Sequence, residues 1–243
     1  MKRYGKLIIP SVIAVIFLGI GFYFLNSLFG NPISALIAES RLKEYAAFTY
    51  PNLNLELSKA RYNFKTQAYG CSAQSKQSED TLFSIQYYHG QVFDDYEYEV
   101  ENNFATYRRL SSIYDELVAK IIVNQYPHET SLIIGDLVGD TGQLTRDMPF
   151  EQADIPLDFA LTVWIVSDKR DAGQMAALLW EMHEVMERNA VRVDKYSIRL
   201  EEPMAEDEKP GSGDYLYLED FPVAEITADR QSLIERLMVY IKI

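Results

Sequence analysis

Cysteine is all but missing from this chain: Cys71 is the only one in 243 residues. One thiol closes no disulfide within the chain, so the fold must stand on its apolar core. Histidine is nearly as scarce, with only His89, His128 and His183. General-base chemistry usually draws on histidine or a perturbed carboxylate. His89 falls in a predicted turn and His128 follows the helix-breaking Pro127, so neither has a sequence partner. A Cys71–His pair would need a proximity that sequence does not show. There is no G-x-S-x-G elbow, no phosphate-binding P-loop and no G-x-G-x-x-G dinucleotide turn. Basic residues are also short, at 23 against 36 acidic, for a net charge of −13. So acidic a chain lacks the footprint needed for nucleic acid.

The acidic residues that are present do not form a recognised ion site. His183-Glu184-Val185-Met186-Glu187 places Glu187 where a zinc hydrolase helix needs its second histidine. The same helix is explained by core packing, with His183 and Glu184 expected beside the stripe, facing water. Asp94-Asp95 and the run Glu201, Glu202, Glu206, Asp207, Glu208 lack the spaced oxygen ligands and glycine of a calcium loop. These absences assign no catalytic residue, no metal ligand and no cofactor.

Long hydrophobic runs are likewise few, but one is present. Residues 7–29 contain no charge, Lys2, Arg3 and Lys6 precede them, and the next charge is Glu39. A helix of about 20 apolar residues crosses a bilayer core, and a one-sided basic flank keeps the N-terminus cytoplasmic. The sequence therefore predicts an uncleaved, single-pass signal anchor. It would contact the lipid bilayer through residues 7–29 and leave 31–243 extracytoplasmic. A cleaved signal peptide is the other reading; it would have a shorter apolar core and a small-x-small site close behind, which residues 26–38 do not offer.

Beyond the run, patterning predicts an α+β fold: one N-terminal transmembrane helix, then two small antiparallel-sheet-plus-helix units. The expected divisions are 1–30, 31–126 and 127–243. Asn31-Pro32 opens a helix by capping and first-turn preference, and Tyr50-Pro51 ends it. Leu53, Leu55 and Leu57 alternate as a half-buried strand, and Ala60, Tyr62 and Phe64 continue in the opposite phase after a bulge or turn near Ser58. Residues 81–100 read as a hairpin about His89-Gly90. Residues 101–126 carry Phe104, Tyr107, Leu110, Tyr114, Leu117, Val118 and Ile121 on one helical stripe. In the second unit, Leu132 to Ile134 reads as a short strand and 135–149 as turns. Residues 157–166 form the clearest strand. Asp171 caps a helix that buries Met175, Leu178, Leu179, Met182, Val185 and Met186. Strands about Ile198 and at 215–218 follow, and Thr227 caps a last helix.

The first unit resembles the N-terminal domain of the YfjL-like proteins of Gram-positive bacteria. The resemblance rests on Tyr62-Asn63-Phe64-Lys65, on Tyr69, on a strand ending in Asp94-Asp95-Tyr96, and on the helix start Phe104-Ala105-Thr106-Tyr107-Arg108-Arg109-Leu110. It covers roughly residues 31–126, with a looser likeness of plan beyond. The resemblance implies an N-terminal membrane segment. The family's function is not established, so no catalytic residue carries over.

Tyrosine is the one residue in excess. Eleven of the seventeen lie between Tyr45 and Tyr126. Tyrosine gives large contact area at interfaces and is also ordinary sheet material. Neighbours such as Tyr87 and Tyr88 point to opposite faces of a strand, so one of them should meet solvent. The sequence thus favours a non-enzymatic module that binds a protein partner through the tyrosine-rich first unit, or serves a structural role. A hydrolase or modifying enzyme acting on envelope material is the alternative.

Overall fold

The computed structural model describes residues 12, 15–21, 28–202 and 215–242. The chain divides into two compact units, Met1–Ala105 and Thr106–Ile243.

In the first unit, helix α1 spans Pro32–Thr49. Asn31 is extended and its side-chain oxygen accepts from the Ser34 amide at 2.7 Å, with proline in the first turn. Ala38, Leu42 and Ala46 recur every fourth residue and form its buried strip. Ile33, Leu36 and Ile37 stay exposed. The strip packs on an antiparallel sheet of β1 (Leu55–Leu57), β2 (Arg61–Asn63), β3 (Ala68–Ser75), β4 (Leu82–Tyr88) and β5 (Gln91–Asp94). The order is β1-β3-β4-β5, and β2 pairs with the other half of β3. The chain leaves β1 at Leu57 and re-enters as β2 at Arg61, which accounts for the expected phase slip near Ser58. Leu42, Ala46, Cys71, Ala73, Phe83, Ile85 and Val100 form the core. At the β4–β5 turn His89 and Gly90 both have positive φ, 47° and 87°. That is the backbone of a two-residue hairpin whose twist matches its strands.

The expected transmembrane helix over 7–29 is corrected by the structure. Among the described residues no helix is long and apolar enough to cross a membrane. Within that span only 12, 15–21 and 28–29 are described, all helical, and the rest lies outside the described residues. Gly30, with φ +67°, separates residues 28–29 from α1. A Cβ there would lie 2.5 Å from the Tyr69 hydroxyl, so only glycine makes this bend. Helix α1 itself carries Glu39, Arg41, Lys43 and Glu44. The reading of the run as a signal anchor is corrected with it.

The second unit contains α2 (Phe104–Gln125), β6 (Thr130–Val138), β7 (Asp158–Val166), α3 (Ala172–Arg188), β8 (Lys195–Glu201), β9 (Tyr215–Pro222), α4 (Arg230–Leu237) and β10 (Ile241–Lys242). The sheet order is β10-β9-β8-β7-β6. Neighbours pair antiparallel except β7 and β8, which run parallel from Ala160↔Lys195 to Val166↔Glu201. The expected antiparallel sheet is therefore mixed: α3 carries the chain back to the starting end of β7, and a crossover helix imposes parallel pairing. Phe159, Leu161, Val163 and Ile165 of β7 are fully buried and alternate with half-buried residues. Asp171 caps α3 by accepting from the Gln174 amide, and Met175, Leu178, Leu179, Met182, Val185 and Met186 are all buried.

Three local expectations change. Leu110, Tyr114, Val118 and Ile121 of α2 join the core of the second unit, so the division falls at 105–106 and not at 126. Residues 135–138 continue β6, although they read as turns. Gly135 is there because a Cβ would sit 2.7 Å from Val118 Cγ2 and 3.0 Å from Asp115 Cα; the α2 backbone crosses the strand at that point. The cap of α4 is Asp229, whose carboxylate accepts from the Ser232 amide, and Thr227 instead accepts from the Asp229 amide. The acidic run beyond Glu202 lies outside the described residues.

Candidate functional site

The outward face of the first sheet carries an open surface trough. Strand register puts Arg61, Gly70, Gln86 and Phe93 side by side across β2, β3, β4 and β5. Strands lie about 4.8 Å apart, so this row spans about 14 Å. The next row brings Ser72 opposite Ser84. Ala68, Gly70, Ser72 and Ser84 are small, so the floor lies low between taller banks. Lys59, Arg61 and Asn63 stand on one bank, and Gln86, Tyr88 and Phe93 on the other. The basic end is a trough of about 500 Å³ and the aromatic end about 280 Å³; Thr66, Ala68, Ser84 and Gln86 line both.

The two ends differ in chemistry. No carboxylate lines the larger trough, although the chain is acidic overall. At the aromatic end Asp94 and Asp95 are present but engaged. Asp94 Oδ2 accepts from the Tyr45 hydroxyl at 2.5 Å and the Tyr50 hydroxyl at 2.9 Å, and its Oδ1 accepts from the Tyr96 amide. Asp95 Oδ1 accepts from the Ser84 amide at 2.6 Å. Burial, and then the bond to Asp94, push the Tyr45 and Tyr50 phenols above their ordinary value, so both hold their protons. These contacts tie α1 to the hairpin; they are not poised for proton transfer.

Most tyrosines of the first stretch are consumed by packing. Tyr50 meets Phe83 edge-on at 5.1 Å and Tyr96 at 4.6 Å. Tyr62, Tyr69 and Tyr87 form a ladder across three strands on the α1 side. There the Tyr69 hydroxyl accepts from the Asn31 amide and donates to its carbonyl. Tyr107, Tyr114 and Tyr126 belong to the second unit's core. Tyr88, at 40 % exposure, is the member of the Tyr87–Tyr88 pair that meets solvent, beside Phe93 at 52 %. Sequence reasoning missed Arg61, Gly70, Gln86 and Phe93. Their only sequence signal is alternation in short strands, and register, which sequence leaves open, is what assembles them.

The histidines are not assembled with one another. His89 occupies the β4–β5 turn, its ring 4.3 Å from that of Tyr88. His128 Nε2 lies 2.6 Å from Glu181 Oε2. His183 is not water-facing as expected. Its side chain is 18 % exposed, with Nδ1 3.2 Å from the Tyr196 hydroxyl and Nε2 3.9 Å from Glu187. Among the described residues no three His, Cys, Asp or Glu side chains are placed to hold a metal ion. Cys71 is buried beneath the trough floor, and burial, with the charge of Glu39 second, pushes its thiol above the ordinary value, away from the reactive thiolate.

Burial lowers the His183 pKa below 6.5, with Glu187 and Glu184 opposing. The stability this neutral imidazole contributes is complete above pH 6.5 and is lost as pH falls through the folded-state value. One proton changes stability by at most about 1.4 kcal/mol per pH unit. Urea midpoints at neutral and mildly acidic pH should therefore fall less in His183→Gln than in the parent. Equal falls would show that His183 does not titrate with unfolding.

The outward face of the second sheet is built differently. Arg199 of β8 lies with its guanidinium carbon 4.5 Å from the Trp164 ring and 4.2 Å from the Tyr215 ring. Its Nε is 3.6 Å from Glu201. The cation is stacked between strands and paired, which stiffens that face.

Residues 5–96 match the family model of the YfjL-like N-terminal domain, and residues 113–235 match that of the YfjL-like C-terminal domain. Over 71 residues the chain is 32 % identical to "Uncharacterized protein YfjL" of Bacillus subtilis (strain 168), a stretch covering 29 % of this chain and 31 % of that protein. The match thus spans less than a third of that relative's length. No solved structure matches the chain.

Proposed function

We propose, from the premise that this chain belongs to the YfjL-like family, that it is a non-enzymatic binding protein whose ligand lies along the outward face of the first sheet. The observation that carries this reading is the row Arg61–Gly70–Gln86–Phe93 with Tyr88 alongside. It offers a charge, amide and hydroxyl groups and an exposed aromatic bank around a low floor, the composition of a recognition site. It holds no activated nucleophile, and His89, beside it, packs its ring against Tyr88. Its carboxylates, Asp94 and Asp95, are fixed by hydroxyl and amide donors. The tyrosine-based binding expected from sequence survives here in one residue, Tyr88.

The test is retention of cellular material by the immobilised full chain. Replacing Tyr88 and Phe93 together by serine should weaken retention by about 2 kcal/mol or more if they are hot spots. Replacing His128 and His183 together by glutamine should leave it intact. Retention that follows the histidines and ignores the aromatic pair would overturn the binding reading in favour of an enzyme.

A further inference from the structure

We infer that the trough on the first sheet is a subsite for an acidic oligosaccharide, with a carboxylate-bearing sugar at the Arg61 end and a sugar ring stacked on Tyr88 and Phe93. This rests on the binding reading above and names its ligand class. Three observations converge on it. The larger cavity is lined by Lys59 and Arg61, by the hydroxyls of Ser58, Ser72 and Ser84, and by the amides of Asn63 and Gln86, without a carboxylate. Arg61 is exposed and forms no ion pair among the described residues. Its planar fork is free to take a carboxylate in two parallel hydrogen bonds.

Hydroxyls and amides both donate and accept, as a polyol requires. At the other bank, Tyr88 and Phe93 are exposed, the Tyr88 ring held at right angles to that of His89, and together they give an apolar surface that a pyranose can cover with its C–H groups while its hydroxyls turn to Gln86 and Thr66. The row spans about 14 Å between the Arg61 and Phe93 backbones, room for two or three sugar rings in line. An apolar peptide would leave the Ser72 and Ser84 hydroxyls of the floor and the Gln86 amide of the bank unpaired, which costs free energy at each.

Electrostatics sets the direction in which the ligand lies. Asp94 and Asp95 stand at the aromatic end, three strands from Arg61. That distance exceeds the Debye length of about 8 Å at physiological ionic strength, so they barely weaken the cationic end. They do repel an anionic group placed next to Phe93.

Gly70 makes the site testable without deleting a binding group. Its φ lies outside the left-handed range, and a Cβ there would meet Gln86 Cγ at 3.5 Å and the Ile85 carbonyl at 3.6 Å, ordinary contacts. Gly70→Val should therefore fold, with β-branched character suiting the strand, while its methyls fill the floor. The full chain is titrated with a trisaccharide of two neutral sugars ending in one galacturonic acid, with the same trisaccharide as its neutral methyl ester, and with inorganic phosphate. The acid trisaccharide should bind, the ester at least tenfold more weakly, and phosphate not measurably at the same concentration. Arg61→Gln should lose tenfold or more for the acid alone. Gly70→Val should abolish binding with an unchanged or higher melting temperature.

Equal binding of ester and acid would overturn the acidic-ligand assignment. Phosphate binding as tightly as the acid trisaccharide would overturn the saccharide assignment. No trisaccharide binding would overturn both, and the binding face is then judged by Gly70→Val in the retention experiment. Retention lost there keeps the face, whereas retention unchanged removes it as well.

Discussion

Above pH 10 the second unit is expected to lose about 4 kcal/mol of stability per pH unit. Tyr114, Tyr126 and Tyr196 are buried, and burial, the largest cause for each, raises their phenol pKa well above the ordinary 10. Their hydroxyls are also engaged: Tyr114 donates to the Arg192 carbonyl, Tyr126 to that of Leu178, and Tyr196 lies 3.2 Å from His183. The folded value is raised, so the contribution to stability is complete below pH 10 and is lost as pH climbs toward that value, where only the unfolded chain releases its protons. Each proton contributes about 1.4 kcal/mol per unit, hence about 4 for three. A domain of ordinary stability, about 5–15 kcal/mol, loses most of that by about pH 12. Tyrosinate absorbance and circular dichroism followed together should show the buried phenols ionising in the same step as unfolding. Complete ionisation with native circular dichroism would refute the prediction.

The second large effect is expected from Gly135→Val, at about 3 kcal/mol or more. The new Cβ would stand 3.0 Å from the Asp115 Cα, a backbone atom that cannot swing away. Either α2 retreats from the sheet or β6 bends. Both stretch the bond from the Gly135 amide to Asp115 Oδ1, now 2.8 Å. Overpacking alone costs about 1–3 kcal/mol, and weakening a bond to a carboxylate adds to it. The same change at Gly70, on an open face, should cost nothing. Chemical denaturation of the pair tests this directly. Similar midpoints for Gly70→Val and Gly135→Val would show that α2 does not crowd β6 as described.

What could be read from sequence was whatever one segment decides alone. Asn31 and Asp171 mark helix starts by their own side chains, and each sits at its cap. The stripe of α3 and the alternation of β7 each repeat against a single buried face, so periodicity located them. His89-Gly90 signalled a turn because few residue pairs adopt positive φ together. The unread parts depend on distant segments. β3, the strand at the centre of the first sheet, is built of Gly70, Cys71, Ser72 and Ala73, which carry little strand preference. Gly135 looks like a turn residue until α2 is known to cross it. The parallel partner of β7 follows from where α3 returns the chain, and α2 is amphipathic whichever core it joins. The trough is harder still: Arg61, Gly70, Gln86 and Phe93 are ordinary residues that register alone makes neighbours, and much of the site is the absence of a side chain.

The parallel pairing of β7 with β8 has a kinetic consequence. Ala160 and Lys195 are partners although 35 positions apart in the chain, and no bond of that ladder can form until the intervening segment has closed into α3. The β4–β5 hairpin, by contrast, closes over two residues. Hairpins form in about 1–10 μs, whereas ladders between remote segments must first meet the entropy of loop closure. The second unit should therefore be the slow step in refolding, and until β8 docks, β7 exposes one edge of an almost wholly apolar face. That interval, more than the finished fold, is when one copy of this chain is best able to pair wrongly with another.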